Sequence, residues 1–312
     1  MVGSACARDA AGPIAGARTL KVCAGAGPFW PTMTLALRGN HAWVACKEQS
    51  RVVRVDTRRG KTVKSVRLGG PVIAVASGYS SVWALESGGT LYRLGASSGK
   101  VLRRIATRAN AAYNIWVGGG SVWVADDQGA AVIRISPSTN RVVARVDSGG
   151  DGPADMAFSG ASAWVINHRD RILTRIDLAT NRPTPLGDVG GEAPERMVWS
   201  NGSLWLTGRG TKLLQVDGSD GSVDRTVDIG VSGIDLAAAG DDLWVPTRSA
   251  AIDPRGLPRM TALVRVSATT GGVAVIARAS SRVDVHGLAA DRAGLWLADN
   301  TKGRLYRVPR RR

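Results

Sequence analysis

Short apolar segments and polar turns alternate along the whole chain, and a tryptophan marks nearly the same point in each cycle. The steps between these tryptophans are 40, 40, 41, 41, 39 and 52 residues. They are Trp43, Trp83, Trp123, Trp164, Trp205, Trp244 and Trp296. A fixed period of this length with several short strands per period is typical of a β-propeller. Because each unit buries its apolar faces only against its neighbours, the sequence predicts one cooperative ring.

The pattern of apolar segments predicts four strands in each repeat. In the third repeat they lie at 113–117, 121–125, 131–135 and 141–146. A five-residue link joins the last two strands in six repeats and always ends in Gly or Asn. The links are 56–60, 95–99, 136–140, 177–181, 217–221 and 267–271. Gly and Asn tolerate the positive φ that closes a type I turn with a bulge, so we expect six equivalent hairpins.

The seventh repeat lacks its outermost strand, because the chain ends soon after the segment 304–308. The segment 18–22 precedes the first inner strand, 33–37, as an outermost strand precedes each later inner strand. Pairing of the two terminal segments would leave no open sheet edge, so we expect 18–22 to complete the last blade. The tryptophans are expected to pack between blades, including Trp116 and Trp199 of the inner strands.

The predicted fold is therefore an all-β, seven-bladed propeller with four antiparallel strands per blade. We assign it to residues 18–309, with 1–17 as an N-terminal extension and 310–312 as a basic tail. The weaker alternative is a β-sandwich in which the tryptophan spacing is coincidental.

The chain is strongly basic, with a net charge of +16 and a pI near 10.9. The arginines recur at one position of the repeat, which spreads the charge around the ring. They are Arg54, Arg93, Arg134, Arg175, Arg265 and Arg307. This spread favours a solvated rim over a nucleic-acid or anionic-surface site, and no nucleic-acid motif accompanies the charge.

No segment of the sequence is long and apolar enough to predict a transmembrane helix. The first 16 residues lack the apolar core of a secretory leader, which predicts either a cytoplasmic protein or a trimmed start. Cys6 precedes the repeats, whereas Cys23 and Cys46 are expected at the same end of the ring, near its closure. These two can form a disulfide or remain two separate buried thiols.

The loops after the second strands and the loops into the inner strands of a propeller share one face, where binding sites usually lie. The candidate residues there are Trp30, Glu86, Tyr113, Asn114, Asp126, Asp155, His168, Glu195, Arg196, Arg209, Asp235, Arg248, Asp299 and Asn300. Equivalent positions place Arg196 between Asp155 and Asp235, which predicts a charge cluster at the channel mouth. It serves either as a ligand site or as a structural ion-pair network. An insertion at 248–260 is a lid over this face or an inert loop.

Motifs for known chemistry are scarce. No histidine pair has the spacing of metal ligands, and no phosphate-binding loop, nucleophile elbow or Cys-X-X-Cys motif occurs. Four residues, Asp126, Asp127, Asp155 and Asp299, offer the carboxylates that Mg²⁺ or Ca²⁺ prefers, although their spacing does not demand a metal.

The repeat units 120–126 and 132–136, GSVWVAD and VIRIS, resemble those of bacterial streptogramin B lyase-like propellers and of surface propellers with YVTN-type repeats. The lyases open a cyclic depsipeptide antibiotic by elimination, with Mg²⁺ and with His and Glu residues of the channel face. The resemblance implies that His286 matches the base and that Asn300, beside Asp299, takes the place of a Glu. In the preceding blade, Ser232 stands at the His position and Arg248 lies near the Glu position.

From this pattern we predict a non-catalytic, monomeric propeller without a cofactor, which binds a small molecule or a protein on its channel face. The resemblance implies an extracytoplasmic setting, either secreted or at the cell surface. The alternative is a Mg²⁺-dependent C–O lyase of the streptogramin type, with His286 as the base and Asp299 as a metal ligand.

Overall fold

Seven antiparallel sheets carry the seven repeats, which confirms the predicted propeller. The computed structural model describes residues 13–24, 34–190, 194–248, 260–279, 283, 285–291, 294–299 and 302–309. Within blades 1 to 5, successive strands are neighbours in the sheet, so the chain runs from the inner strand at the channel to the outermost strand. The ring thereby places every loop that enters an inner strand at the same end of the channel.

The first three blades each hold four strands. Blade 1 comprises β2 (Leu35–Arg38), β3 (His41–Cys46), β4 (Arg51–Asp56) and β5 (Lys61–Arg67), with a 3-10 turn at Lys47–Gln49. Blade 2 comprises β6 (Val72–Gly78), β7 (Ser81–Glu86), β8 (Thr90–Gly95) and β9 (Val101–Ala106). Blade 3 comprises β10 (Ala112–Gly118), β11 (Ser121–Asp126), β12 (Ala131–Ser136) and β13 (Arg141–Asp147).

The remaining blades follow the same order. Blade 4 comprises β14 (Pro153–Ser159), β15 (Ser162–Asn167), β16 (Ile172–Asp177) and β17 (Pro183–Asp188). Blade 5 comprises β18 (Pro194–Ser200), β19 (Ser203–Gly208), β20 (Lys212–Val216) and β21 (Val223–Asp228). Blade 6 comprises β22 (Ser232–Gly233), β23 (Ala237–Ala239), β24 (Asp242–Arg248), β25 (Met260–Ser267) and β26 (Val273–Arg278). Blade 7 comprises β27 (Val285–Asp291), β28 (Gly294–Asp299) and β29 (Arg304–Pro309), completed by β1 (Arg18–Lys21).

The two ends of the chain close the ring, as the sequence predicts. Strand β1 pairs antiparallel with β29 over four residues, with Arg18 opposite Arg307. The closing strand ends at Lys21, one residue earlier than the predicted segment. The residues before it also join the ring, because Ile14 is fully buried and forms a bridge with Ala279 of blade 6.

The six five-residue links adopt one conformation. The last residue of each has a positive φ, and its N–H donates to the carbonyl oxygen of the first residue of the link. These residues are Gly60, Gly99, Asn140, Asn181, Gly221 and Gly271. The left-handed backbone there is the reason that only Gly or Asn occupies the position.

Blade 6 departs from the simple pattern, because its inner strand is divided into β22 and β23. The interruption faces Pro246 of β24, whose carbonyl accepts a hydrogen bond from Ile234 N–H at 2.8 Å. Proline has no N–H to return this bond, so the ladder is broken at that point. The interruption contains Asp235, and its side chain caps the next N–H, that of Leu236, at 2.8 Å.

The repeated tryptophans pack between neighbouring blades. Trp43 of blade 1 lies in one cluster with Val75 and Val82 of blade 2, and Trp296 of blade 7 lies in one cluster with Leu35 and Val44 of blade 1. The apolar core of blade 7 is thus continuous with that of blade 1. This packing confirms the structural interpretation of the tryptophan repeat.

Candidate functional site

A cavity of about 280 Å³ opens at the centre of the ring. Six of the seven equivalent inner-strand positions line it: Thr34, Asn114, Asp155, Arg196, Asp235 and Gly287. Blade 2 contributes Ile73 and Val75 instead, and its equivalent residue, Ala74, is buried. The structure thus brings to one cavity the polar residues that the alignment of the repeats places at equivalent positions.

The carboxylate of Asp155 joins the inner strands of three blades. Its Oδ1 accepts hydrogen bonds from Trp116 Nε1 of blade 3 at 2.6 Å and from Met156 N–H at 2.8 Å. Its Oδ2 accepts one from Met197 N–H of blade 5 at 2.8 Å. These bonds hold neighbouring blades in register at the channel wall, which is a structural role that the sequence analysis leaves open.

Arg196 pairs with Asp235 rather than standing symmetrically between two carboxylates. Its Nε lies 3.6 Å from Asp235 Oδ1, and one terminal nitrogen donates to Glu195 O at 2.8 Å. Burial alone would lower the pKa of Arg196, but the negative charge of Asp235, with lesser effects of Tyr113 and Asp155, raises it above its usual value. The guanidinium therefore remains charged within the cavity.

Burial raises the pKa of Asp155 to about 6. The nearby charge of Arg196 and the N–H donors of Met197 and Met156 oppose this shift, whereas the charge of Asp235 adds to it. The carboxyl group thus takes up a proton well above the pH at which an exposed aspartate does so.

We expect a carbon-13 NMR titration of the side-chain carboxyl groups to show Asp155 titrating near pH 6. Because this pKa lies above the unfolded value of about 3.9, the stability that this group contributes is complete below that value and is lost as the pH rises through about 6. Arg196→Gln should raise the pKa further by removing a favourable charge. Arg171→Gln, at an exposed ion pair with Asp188, should leave it unchanged. A titration of Asp155 near pH 4 in the parent would contradict this account.

One side of the channel mouth carries Arg209 and Arg248 near the acidic residue Glu195. Arg209 Nε contacts Glu195 Oε1 at 2.8 Å, and Arg248 lies close enough for electrostatic interaction with both. Burial, the charge of Arg209 and the charge of Arg196 lower the pKa of Arg248, against the effect of Glu195. Within the described ranges the side chain of Arg248 has no hydrogen-bond or ion-pair partner, whereas its backbone pairs with Ser232 and Met260 in the sheet.

The neighbouring part of the mouth, at blades 3 and 4, carries an aromatic pair and an ion-pair cluster. The rings of Tyr113 and His168 stack with their centroids 6.5 Å apart, and His168 Nδ1 contacts Gly152 O at 2.8 Å. Arg169 bridges Asp127 at 2.5 Å and Asp151 at 2.8 Å. Arg169 was not among the predicted candidates, although its position directly after His168 on the same loop was a signal for it.

Three candidates at the ends of second strands lie within their own blades instead of facing the channel. Asp126 is fully buried, accepts hydrogen bonds from the N–H groups of Ala111 and Gly129 and pairs with Arg145 at 2.7 Å. The carboxylates of Asp299 and Glu86 accept hydrogen bonds from tyrosine hydroxyls.

These hydroxyls belong to Tyr306, 2.8 Å from Asp299 Oδ2, and to Tyr92, 3.0 Å from Glu86 Oε2. Asp299 is fully buried, and Lys302 N–H donates to its Oδ1 at 3.3 Å. Asp126 and Asp299 are therefore buried within their hairpins, whereas Glu86 remains partly exposed beside Tyr92. Among the described residues, no three His, Cys, Asp or Glu side chains are grouped so that they could hold a metal ion.

Several predicted features lie outside the described residues. They are Trp30, Asn300, the side chain of His286 and residues 249–259 of the insertion. The two ends of the insertion are described, because Arg248 and Met260 face each other across β24 and β25. Trp116, expected only to pack between blades, also lines the channel and donates to Asp155.

Cys23 and Cys46 are joined by a disulfide, with their Cα atoms 5.6 Å apart. Both are almost completely buried, in the cluster that joins blades 7 and 1. Structural disulfides persist in oxidising compartments, so this bond indicates an oxidising environment outside the cytoplasm. Within the described part of the chain, no helix has the length and apolar character needed to span a membrane.

The fold and channel define a seven-bladed β-propeller, and comparisons with solved structures agree. Virginiamycin B lyase from Staphylococcus aureus is similar at 15% identity and a TM-score of 0.76, over 95% of this chain and 100% of that chain. A catalytically inactive variant of that lyase with quinupristin is similar at 14% identity and a TM-score of 0.76, over 95% of this chain and 99% of that chain.

A chain of a mitotic checkpoint complex reaches the same TM-score of 0.76 at 12% identity, over 99% of this chain and 97% of that chain. Identities this low show a shared fold alone. No protein-family model and no curated protein matches the chain.

Proposed function

We propose that this chain is a non-catalytic, extracytoplasmic propeller that binds a small ligand in the mouth of its central channel. The ligand would present an acceptor oxygen, as a carboxylate or a carbonyl group, on a short apolar body. The observation that carries the proposal is the hydrogen-bonding capacity of Arg196, which its neighbours satisfy only in part.

A guanidinium group has five N–H donors in a planar fork. Those of Arg196 have two protein partners among the described residues, Glu195 O and Asp235 Oδ1. The remaining donors share the cavity with apolar side chains: Ile73, Val75, Met156, Met197, Leu236 and Leu288. A carboxylate or carbonyl oxygen matches those donors, and a short apolar body matches the rest of the wall.

The charge of the mouth favours the same class of ligand. The side chain of Arg248 lacks a hydrogen-bond partner among the described residues, and its lowered pKa reflects burial beside Arg209 and Arg196. A ligand carboxylate would offset this local excess of positive charge. The carboxylates nearby are less available to a ligand cation, because Asp155 accepts three N–H donors and Asp235 faces Arg196.

The same contacts support a binding role rather than catalysis. A general base needs a group that is free to reach the substrate proton. Among the described residues, Asp299 is buried under the hydroxyl of Tyr306, and Asp155 is held by N–H groups of three blades. The disulfide between Cys23 and Cys46 supports the extracytoplasmic setting.

Benzoate, benzamide and benzylamine test the proposal, because they share one ring and differ in the charge of the head group. Saturation-transfer NMR should show benzoate and benzamide binding more tightly than benzylamine. Arg196→Gln should weaken benzoate binding by about tenfold, the effect of losing one charge-assisted hydrogen bond. The exposed control Arg171→Gln should bind as the parent does. Equal benzoate binding by the parent and Arg196→Gln would refute the site.

A second candidate function is that of a lyase, which the fold similarity to virginiamycin B lyase favours. Quinupristin, present in the structure of the inactive variant of that lyase, is the probe. We expect this chain with Mg²⁺ to leave quinupristin unchanged in chromatographic retention time. Conversion by the parent that is lost in His286→Ala would favour the lyase and overturn the non-catalytic proposal.

A further inference from the structure

The arginine opposite the repeat tryptophan joins one blade to the next in blades 2 and 3. Arg93 Nε donates to Ser81 Oγ at 2.8 Å within its blade, and a terminal nitrogen donates to Asn140 Oδ1 of the next blade at 2.8 Å. Arg134 repeats the arrangement with Ser121 at 2.8 Å and Asn181 at 2.7 Å. Each guanidinium also stacks on its tryptophan.

The equivalent residue at the closure of the ring is Arg307. It lies opposite Trp296 in the strand register and stacks on it with its guanidinium carbon 5.6 Å from the ring centre. Gly294 occupies the place of the serine within the blade, and Gly60 occupies the place of the asparagine in the next blade. Both side-chain acceptors are therefore missing.

The consequence is a buried donor without an acceptor. Arg307 Nε is buried and has no hydrogen-bond partner among the described residues. Arg54 of blade 1 also has an unpaired Nε, but its other nitrogens contact His41 and Ser97. A buried unpaired donor is costly, so its presence points to a partner that the chain itself does not supply.

A cavity of about 190 Å³ lies beside Arg307, between blades 7 and 1. A single water needs only about 15 Å³ by this kind of measure, so a larger group fits. Among the described residues, four arginines and no acidic residue line this closure cavity. Its lining is Arg18, Thr19, Leu20, Thr57, Arg58, Arg59, Gly60, Trp296 and Arg307. Asp56, at the start of the same turn, has its Oδ1 bound to the N–H groups of Arg58 and Arg59.

We propose that the closure cavity binds an oxyanion of the phosphate type, either as the free ion or as a phosphate monoester. Guanidinium forks match the oxygens of such a group, and hydrogen bonds between ionised partners are stronger than neutral ones. Two of the arginines belong to the first blade and two to the last. A bound anion therefore connects the two ends of the chain and supplies the acceptor that Gly60 and Gly294 cannot provide.

Isothermal titration of the whole chain with inorganic phosphate, at constant ionic strength in chloride, tests the proposal. The double variant Arg58→Gln/Arg59→Gln should bind phosphate at least about tenfold more weakly than the parent. The control Arg103→Gln/Arg141→Gln removes the same charge from exposed strands of blades 2 and 3, and should bind as the parent does. Circular dichroism without phosphate checks that each variant is folded.

Binding of a phosphate ester identifies the form of the ligand, and the parent and control variants test the cavity itself. Glycerol 3-phosphate that binds as well as phosphate indicates a free ion as the ligand, and much tighter binding of the ester indicates a phosphate carried by a larger molecule; both support the cavity. No measurable phosphate binding by the parent overturns it, as does an equal loss in the control variant, which reduces the effect to net charge. The benzoate site in the channel is unaffected by either outcome, because it shares no residue with this cavity.

Discussion

A chain that lacks residues 1–22 should fail to unfold in one cooperative transition and should behave as a largely unfolded protein. The deletion removes β1, which forms the outer edge of blade 7, and it removes Ile14, which is fully buried between blades 6 and 7. Loss of a buried side chain of this size costs about 2–5 kcal/mol, and four residues of strand pairing add several more. The sum is comparable with the whole stability of a typical domain, about 5–15 kcal/mol.

A shorter deletion provides the control. Removal of residues 1–12 retains both Ile14 and β1, so it should leave the midpoint of urea unfolding close to that of the parent. If the chain without residues 1–22 unfolds at the same urea concentration as the parent, pairing of β1 with β29 contributes no stability, and the described closure of the ring is wrong.

Loss of the bond between Cys23 and Cys46 should lower the free energy of unfolding by about 3 kcal/mol. The bond closes a loop of 23 residues between β1 and β3, and a loop of this length restricts the unfolded chain by about that amount. Cys23→Ala/Cys46→Ala, measured by urea unfolding, tests this expectation. Alanine avoids placing a new hydroxyl group in the apolar cluster that holds both sulfurs.

Treatment with a reducing agent distinguishes the stability that the disulfide bond contributes from that of the two cysteine side chains. It should destabilise the parent by a similar amount and should have no effect on the double alanine variant. Cys6→Ser should resemble the parent under both conditions. A parent whose stability is the same with and without reductant would show that the bond does not hold the ring closed.

The ring, its closure and the channel residues could be predicted because the same weak sequence pattern recurs in every repeat. A single Trp between Val residues says little, but seven at one period define a structure that must stack. The same alignment of repeats placed Asp155, Arg196 and Asp235 on one wall. The symmetry of the repeats predicts the blade in which a residue lies and its level along the channel, and this prediction requires no knowledge of side-chain contacts.

What symmetry cannot supply is the direction of a side chain and its partner. Asp126 and Asp299 lie at the ends of second strands, yet each turns into its blade to meet Arg145 or Tyr306. The break in blade 6 likewise depends on one residue, Pro246, in a neighbouring strand. Such features arise from pairwise contacts that a period of about 40 residues does not encode.

A crystal structure of the protein with benzoate most directly tests the claim that the channel mouth is a binding site. The account predicts a carboxylate oxygen of benzoate within hydrogen-bond distance of the Arg196 guanidinium, with its ring against Met156 or Leu288. Benzoate bound only outside the channel, with that guanidinium contacting protein atoms alone, would contradict it.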